Sequence, residues 1–362
     1  MHSILHIDSE RGWRGGQQQA AYLLKGLLAK GYKTAIVCQP ESEFEKYCIE
    51  NKLPHYPIKM RGEIDLPAAF KIANICKKEC YDILHLHSAH AVATGLWVKL
   101  FASGLKLIGV RRVDFHIKNN PFSKFKYMSK RIEKHVCISE NIRTVMLEDG
   151  IADDRLQVIH SGVDPKRFSD VQPPSDFRER IGIPNDHIIV GTVAALAGHK
   201  DYPNLLNAAK IIIESTDNVT FCAVGDGPDE KEILKLADEL NLNDRFIFTG
   251  YRTDVGNFLK TFDIFVLASY LEGLGTSILD AQACGLPVIG CQVGGIPELI
   301  DHDVFGMLVP SRDSEALAEA IRDLANDEGK RTRLGLAGKE SCERFNIENT
   351  INKNIELYNK LS

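Results

Sequence analysis

The feature that most constrains this chain is an alternation of two hydrophobic periods. Short β-branched runs at Ser3–Asp8, Thr34–Cys38, Ile83–Leu86, Lys106–Val110 and His135–Ile138 read as strands. Amphipathic stretches lie between several of them, such as Gln17–Lys30, whose Ala21, Leu24, Leu27 and Leu28 share one helical face. Parallel strands need a crossover to join them, so this alternation predicts βαβ units and a parallel sheet. The polar stretch Ser169–Asp176 carries two prolines and reads as a linker. The pattern then restarts. Strands are expected at Ile188–Thr192, Val219–Val224, Arg245–Phe248, Ile264–Leu267 and Pro287–Gly290. Helices are expected at Tyr202–Glu214, Glu230–Leu240 and Ser314–Asn326, the last capped by Ser314. The expected fold class is α/β, with two parallel-sheet domains, residues 1–168 and 169–345, facing across a cleft. In open sheets of this kind ligands bind outside the carboxyl ends of the strands.

Composition narrows the class. A chain of 362 residues, 44% apolar and 26% charged, can bury a large core in about two domains. No apolar run approaches the roughly 18 residues that span a bilayer. The N-terminal segment leads straight into a strand without a signal-peptide pattern. Nine cysteines show no paired framework, and Cys76 and Cys80, four apart, read as ordinary thiols of a reducing compartment. A cytoplasmic protein is therefore expected. The net charge of −5 is unevenly spread: residues 1–168 carry 26 Lys and Arg against 18 Asp and Glu, and residues 169–362 carry 18 against 31. A basic first half implies a negative partner. Within it, Lys118–His135 holds Lys118, Lys124, Lys126, Lys130, Arg131 and Lys134 against Glu133, interleaved with Phe122, Phe125, Tyr127 and Met128. Two readings stand side by side: peripheral contact with an anionic membrane surface, or a solvated helix face with core aromatics. Nucleic acid is not expected as a partner, because no binding module is recognisable.

Three glycine clusters follow strands and open helices. Gly15 and Gly16, in Gly12-Trp-Arg-Gly-Gly-Gln17, let backbone approach a ligand and aim N–H groups at negative charge. Gly225 and Gly227, in Gly-Asp-Gly-Pro228, make a similar turn. The third, Glu272-Gly273-Leu274-Gly275-Thr276-Ser-Ile-Leu-Asp280, sets two carboxylates eight apart around a helix start. Its backbone suits a diphosphate, and its acids suit hydroxyl donors, Asp280 for a ribose and Glu272 for a sugar. Lys200, in a turn after a strand, supplies a point charge for phosphate. His85, His87 and His90 cluster near one strand's end, but no carboxylate or thiol is spaced to complete a metal site, and no metal ligand set is expected.

The run Ser269-Tyr-Leu-Glu-Gly273, Asp280-Ala-Gln-Ala-Cys-Gly-Leu-Pro-Val288 and Gly294-Gly-Ile-Pro-Glu298 resembles the donor-binding core of glycosyltransferase family 4. Ser161-Gly-Val-Asp164 with Arg167-Phe168, Thr249-Gly-Tyr-Arg252 and Tyr81-Asp-Ile-Leu-His-Leu-His87 resemble other segments of that family. The resemblance implies a GT-B fold of two Rossmann-like domains, with an acceptor domain first, a donor domain second, and a C-terminal helix in 346–362 crossing back. It implies a retaining, metal-independent glycosyltransferase without cofactor, whose donor is a UDP- or GDP-linked sugar. Carried over by position, Lys200 stabilises the departing diphosphate and Glu272 contacts the donor sugar. Asp280 holds the ribose, Gly273 to Thr276 contact sugar and phosphates, and Tyr251 and Arg252 flank the base. A glycan or lipid-linked acceptor of the cell envelope is the expected second substrate.

Three departures mark the chain. Asp280 stands where the family usually has glutamate. Ala195 stands where an arginine usually accompanies the lysine. Arg111-Arg112-Val113-Asp114 replaces a first-domain histidine, with His116 nearby. Arg112 and Asp114 are therefore the first-domain catalytic candidates, and His90, Arg111 and His116 the acceptor-side ones. A nucleotide-sugar epimerase of the same fold and a non-catalytic sugar-nucleotide binding protein remain the rival readings.

Overall fold

The computed structural model describes residues 2–117, 121–242 and 244–361. The chain divides into two compact units, Met1–Gly162 with Ile347–Ser362, and Val163–Asn346. In the first, strands β1 (Ile4–Ile7), β2 (Thr34–Cys38), β3 (His55–Pro57), β4 (Ile83–Leu86), β5 (Lys106–Arg111), β6 (Lys134–Cys137) and β7 (Leu156–Val158) form one parallel sheet. Its spatial order is β3-β2-β1-β4-β5-β6-β7. In the second, β8 (Ile188–Val193), β9 (Val219–Val224), β10 (Phe246–Phe248), β11 (Ile264–Leu267), β12 (Val288–Cys291) and β13 (Met307–Val309) take the order β10-β9-β8-β11-β12-β13, again all parallel. Both orders reverse direction once, at β1/β4 and at β8/β11. Right-handed crossovers then put helices on both faces of each sheet.

Burial explains why the strands read as continuous apolar runs rather than alternating ones. Every residue of β1, β2, β4, β9 and β11 is buried, as expected of a sheet covered on both faces. One core packs Leu5, Val37, Leu84 and Leu107 under helix Leu66–Glu79. The other packs Val190, Phe221 and Val266 under helices Tyr202–Ile213 and Ser314–Asn326.

Several local expectations change. The three-residue strands β3, β7 and β13 are too short to show a period and have no counterpart in the pattern. Ser169–Asp176 lies inside the second unit, since the division falls after Gly162. The cap of helix Ser314–Asn326 is Asp313 rather than Ser314: the Asp313 carboxylate accepts from the Ala316 N–H at 2.9 Å. Helix Ile347–Asn359 belongs to the first unit and packs on helix Gly15–Ala29. Cys76 is buried, Cys80 is exposed, and both thiols are free.

Candidate active site

In the second unit the candidate donor residues collect at the reversal point. β8 and β11 are direct neighbours, with Val190 opposite Ile264, so the loops leaving their carboxyl ends are adjacent. The turn Gly198–Lys200 leaves β8 and the segment from Ser269 leaves β11. This juxtaposition brings Lys200 and Glu272, far apart in sequence, into an ion pair, with both side chains about 15% exposed. The Ser269 hydroxyl also donates to the Glu272 carboxylate at 3.2 Å. Gly275 then caps helix Thr276–Ala283 at φ 90°, a left-handed conformation that strains any other residue. The Gly295 N–H donates to the Glu272 carbonyl at 3.0 Å, clamping the segment that holds Gly273 and Leu274.

Asp280 lies on that helix, 3.5 Å from the Arg167 guanidinium. Burial pushes its carboxyl up to about 6, against the pull of Arg167. Around the same sheet edge, Gly225 and Gly227 close the turn after β9, and no Cβ would fit at Gly227, because it would stand 2.2 Å from the Leu196 carbonyl oxygen. Tyr251 is half-exposed after β10. Arg252 is held by Asp254 in a two-point pair at 2.8 and 2.9 Å.

The first unit builds a different site at its own reversal point. Register places His6 of β1 opposite His85 of β4, and His87 follows β4. The Arg112 guanidinium donates to His87 Nδ1 at 3.3 Å, and His87 Nε2 lies 2.9 Å from His6 Nδ1. Arginine only donates, so the proton of His87 sits on Nε2 and passes its hydrogen bond to His6, whose own proton sits on Nε2. His85 Nδ1 meets the Tyr358 hydroxyl at 2.6 Å. Burial drives all three imidazoles down, His6 to about 3. These rings are neutral at physiological pH.

Asp8, 1% exposed, accepts from Gln17 Nε2 at 3.0 Å and from the Glu10 N–H at 2.9 Å. It also opposes the burial that pushes Arg112 down to about 10. The side chain of Arg112 lies over Gly16, at the start of helix Gly15–Ala29. Arg112 is thus set between a carboxylate, a neutral histidine and a helix N-terminus.

Two family models together span most of the chain. The model for Glycosyltransferase Family 4 matches residues 13–167, and that for Glycosyl transferases group 1 matches residues 175–341. The chain belongs to the family 4, group 1 glycosyltransferases. It is 26% identical to the N-acetyl-alpha-D-glucosaminyl L-malate synthase of Bacillus anthracis, over 86% of this chain and 83% of that one. It is 27% identical to the UDP-Gal:alpha-D-GlcNAc-diphosphoundecaprenol alpha-1,3-galactosyltransferase of Escherichia coli, over 81% and 79%. The structure of Anabaena Alr3699/HepE in complex with UDP-glucose matches with a TM-score of 0.87 at 21% identity, covering 99% of this chain and all of that one. A glycosyltransferase from Rickettsia africae matches at 0.86 and 23%, over 99% and 98%. These likenesses, with the two parallel sheets, give the glycosyltransferase a GT-B fold.

The remaining candidates of this glycosyltransferase are spread more widely. Arg111 is a correction: it is 5% exposed, its guanidinium stacked 4.7 Å from the Tyr127 ring centroid and donating to the Phe115 carbonyl. It packs the interior rather than facing an acceptor. Asp114 is buried. His116 is exposed and bonds Asp149 at 2.9 Å. His90 is half-exposed, 3.9 Å from Glu63, and does not join His85 and His87. The third member of that cluster is His6, and the three rings bring ligand-type nitrogens within 4.8 Å of one another. The relay from Arg112 already occupies the lone pairs of His87 Nδ1 and His6 Nδ1, and a guanidinium beside them disfavours a cation.

In Lys118–His135, Lys118 lies outside the described residues. Lys126 is buried against Glu63 at 2.7 Å, and Phe125 packs on Trp97. Only Lys124, Lys130 and Arg131 of the described basic residues there are well exposed. His6, Asp8, Gln17 and Arg167 were not singled out by sequence reasoning. The signals for them were the β1 and β4 strands and the Arg167-Phe168 segment, but pairing required the register.

Proposed function

We propose that this glycosyltransferase moves a sugar from a UDP- or GDP-linked donor to a hydroxyl of a glycan or lipid-linked acceptor, with retention of configuration and without a metal ion or cofactor. The observation that carries the reading is the Lys200–Glu272 pair beside the Gly275-capped helix that bears Asp280. In the free site each charge holds the other. An incoming diphosphate takes Lys200, and Glu272 is released to accept from a sugar hydroxyl. Lys200 and the helix N–H groups then offset the charge that develops on the departing diphosphate, the task a divalent ion performs elsewhere. Asp280 accepts from the ribose diol. The acceptor proton passes to the leaving phosphate oxygen on the same face of the sugar. With no arginine at Ala195, Lys200 carries more of the phosphate charge, and Arg112 in the first unit offers a positive group to a phosphorylated or acidic acceptor.

The B. anthracis and E. coli relatives, named for sugar transfer to malate and to a lipid diphosphate, support an acidic or lipid-linked acceptor. No described helix is long and apolar enough to cross a membrane. We read the protein as cytoplasmic, with Lys124, Lys130 and Arg131 available to an anionic inner membrane face.

The test is a matrix of UDP- and GDP-sugars against malate, inositol phosphate and undecaprenyl-diphosphate sugars, with and without EDTA. Product NMR then reads the anomeric configuration. Transfer with inversion, or loss of turnover in EDTA, overturns the mechanism. Conversion of donor alone to its epimer overturns the reaction class, and donor binding without turnover for any acceptor favours the binding-protein rival.

A further inference from the structure

Near the start of the second unit, the short helix Lys166–Ser169 sets a cation against the helix that bears Asp280. The Asp164 carbonyl accepts from the Arg167 N–H at 3.0 Å, and Phe168, 1% exposed, anchors the next position. The Arg167 guanidinium lies 5.0 Å from the Phe168 ring centroid and reaches Asp280 Oδ2 at 3.5 Å. Helix Thr276–Ala283 is held in turn: Ile278 and Leu279 are fully buried, and the Gln282 amide donates to the Leu299 carbonyl at 3.0 Å. The Asp280 side chain is 25% exposed, and among the described residues Arg167 is the only cation paired with its carboxylate.

An ion pair this open to water adds little to stability. Its effect on the carboxylate itself is larger. A carboxylate is planar, so a contact that holds Oδ2 also sets where Oδ1 points, and Oδ1 keeps its lone pairs for hydroxyl donors. Other groups near the helix do not compete for this role. The Cys284 thiol, one turn along, is pushed up to about 12 by burial and stays uncharged. Lys260, of helix Val255–Thr261, and Lys339, of helix Glu328–Ser341, act on that thiol, whereas the cation that acts on Asp280 is Arg167. We propose that Arg167 is a positioning residue of the donor site, which keeps the Asp280 carboxylate charged and aims its second oxygen at the ribose diol. The role rests on the reading of Asp280 as the ribose acceptor.

The test is calorimetric titration of the full chain with UDP and GDP, from about pH 5 to about pH 8. The tighter of the two is then compared with its 2′,3′-dideoxy form. The ratio of these affinities cancels the titration of the diphosphate and leaves the part that depends on the diol. In the wild type that ratio should fall as pH drops through about 6. Arg167→Gln should move the inflection upward by about one pH unit, because an opposite charge is removed from beside the acid, and the ratio at pH 6 should then fall about fivefold. Arg167→Lys should recover most of the shift, since the charge is kept. Both variants should retain the wild-type denaturation midpoint. An inflection that stays in place in Arg167→Gln overturns the proposal, and so does one that moves as far in Arg167→Lys. A wild type that binds the dideoxy nucleotide as tightly as its parent at every pH overturns instead the assignment of ribose to Asp280, and the positioning role falls with it.

Discussion

At the scale of single residues, Lys200, Glu272 and Asp280 carry charge whose value depends on what surrounds it. Lys200→Ala removes the cation paired with Glu272 at the donor site. Transfer should fall about 100-fold or more, while donor binding weakens less, because the charge is needed most as the diphosphate leaves. Steady-state kinetics beside nucleotide titration separate the two effects, and equal losses in both would assign Lys200 to binding alone. Asp280 makes a pH prediction. Its folded value of about 6 lies above the ordinary carboxylate value of 3.8. The protonated form therefore favours the fold, fully below about 4, and this contribution is lost as pH rises through 6. Ribose binding needs the ionised acceptor, so nucleotide affinity should decline as pH falls through about 6. Asp280→Asn should abolish that inflection, and an inflection that persists would move the titrating group elsewhere.

At the scale of elements, the reversal points decide where side chains meet. Gly275 is the residue on which the donor helix turns. Gly275→Ala forces a Cβ into φ 90° and should cost about 1–2 kcal/mol of stability. It should also misdirect the helix start, so activity drops by more than stability alone explains. Denaturant melts and kinetics on the same preparation test this. Asp313→Ala removes the carboxylate that caps helix Ser314–Asn326 and should cost about 1 kcal/mol without changing kcat. A kcat change would tie that helix to the site. In the first unit, Tyr358 joins the terminal helix to His85 through a buried hydrogen bond. Tyr358→Phe leaves His85 Nδ1 unpaired and should destabilise the first unit by about 1–2 kcal/mol, measured by hydrogen exchange in β4.

At the scale of the whole molecule, the histidine cluster of the first unit and Asp280 of the second respond to acid with opposite sign. His6, His85 and His87 are held neutral by burial, with folded values far below 6.5. The unfolded chain takes up these protons first, so the stability they contribute is present above pH 6.5 and is lost as pH falls toward the folded values. Asp280, in the second unit, works the other way. Acidification from pH 7.5 to 5 should therefore lower the melting temperature of the first unit relative to the second. Calorimetry, where a two-unit chain need not melt in one step, combined with exchange mass spectrometry assigns each transition. A larger acid loss in the second unit would contradict the burial of the histidine cluster.

Much of this protein was legible in its amino-acid order. The alternation of short β-branched runs with amphipathic helical stretches determined two parallel α/β sheets, because strand-length apolar runs are buried on both faces and parallel strands need helical crossovers to join them. The spacing Glu272-Gly-Leu-Gly-Thr-x3-Asp280 also marked the donor helix, since glycine and carboxylates at a helix start have a local cause. What the order of residues left open was everything that depends on register and burial between distant segments. His90 looked like the partner of His85 and His87 through nearness in sequence, yet the β1–β4 pairing supplied His6. Arg111 ends β5 and Arg112 follows it, and only the folded chain shows that Arg111 packs on Tyr127 while Arg112 meets His87. Lys200 acquired Glu272 only when neighbouring parallel strands set their following loops side by side, and Asp280 acquired Arg167, from the short helix Lys166–Ser169, only in the folded chain. Local chemistry is written along the chain; partnership and protonation arise from which segments the folded sheets bring together, and how far they exclude water.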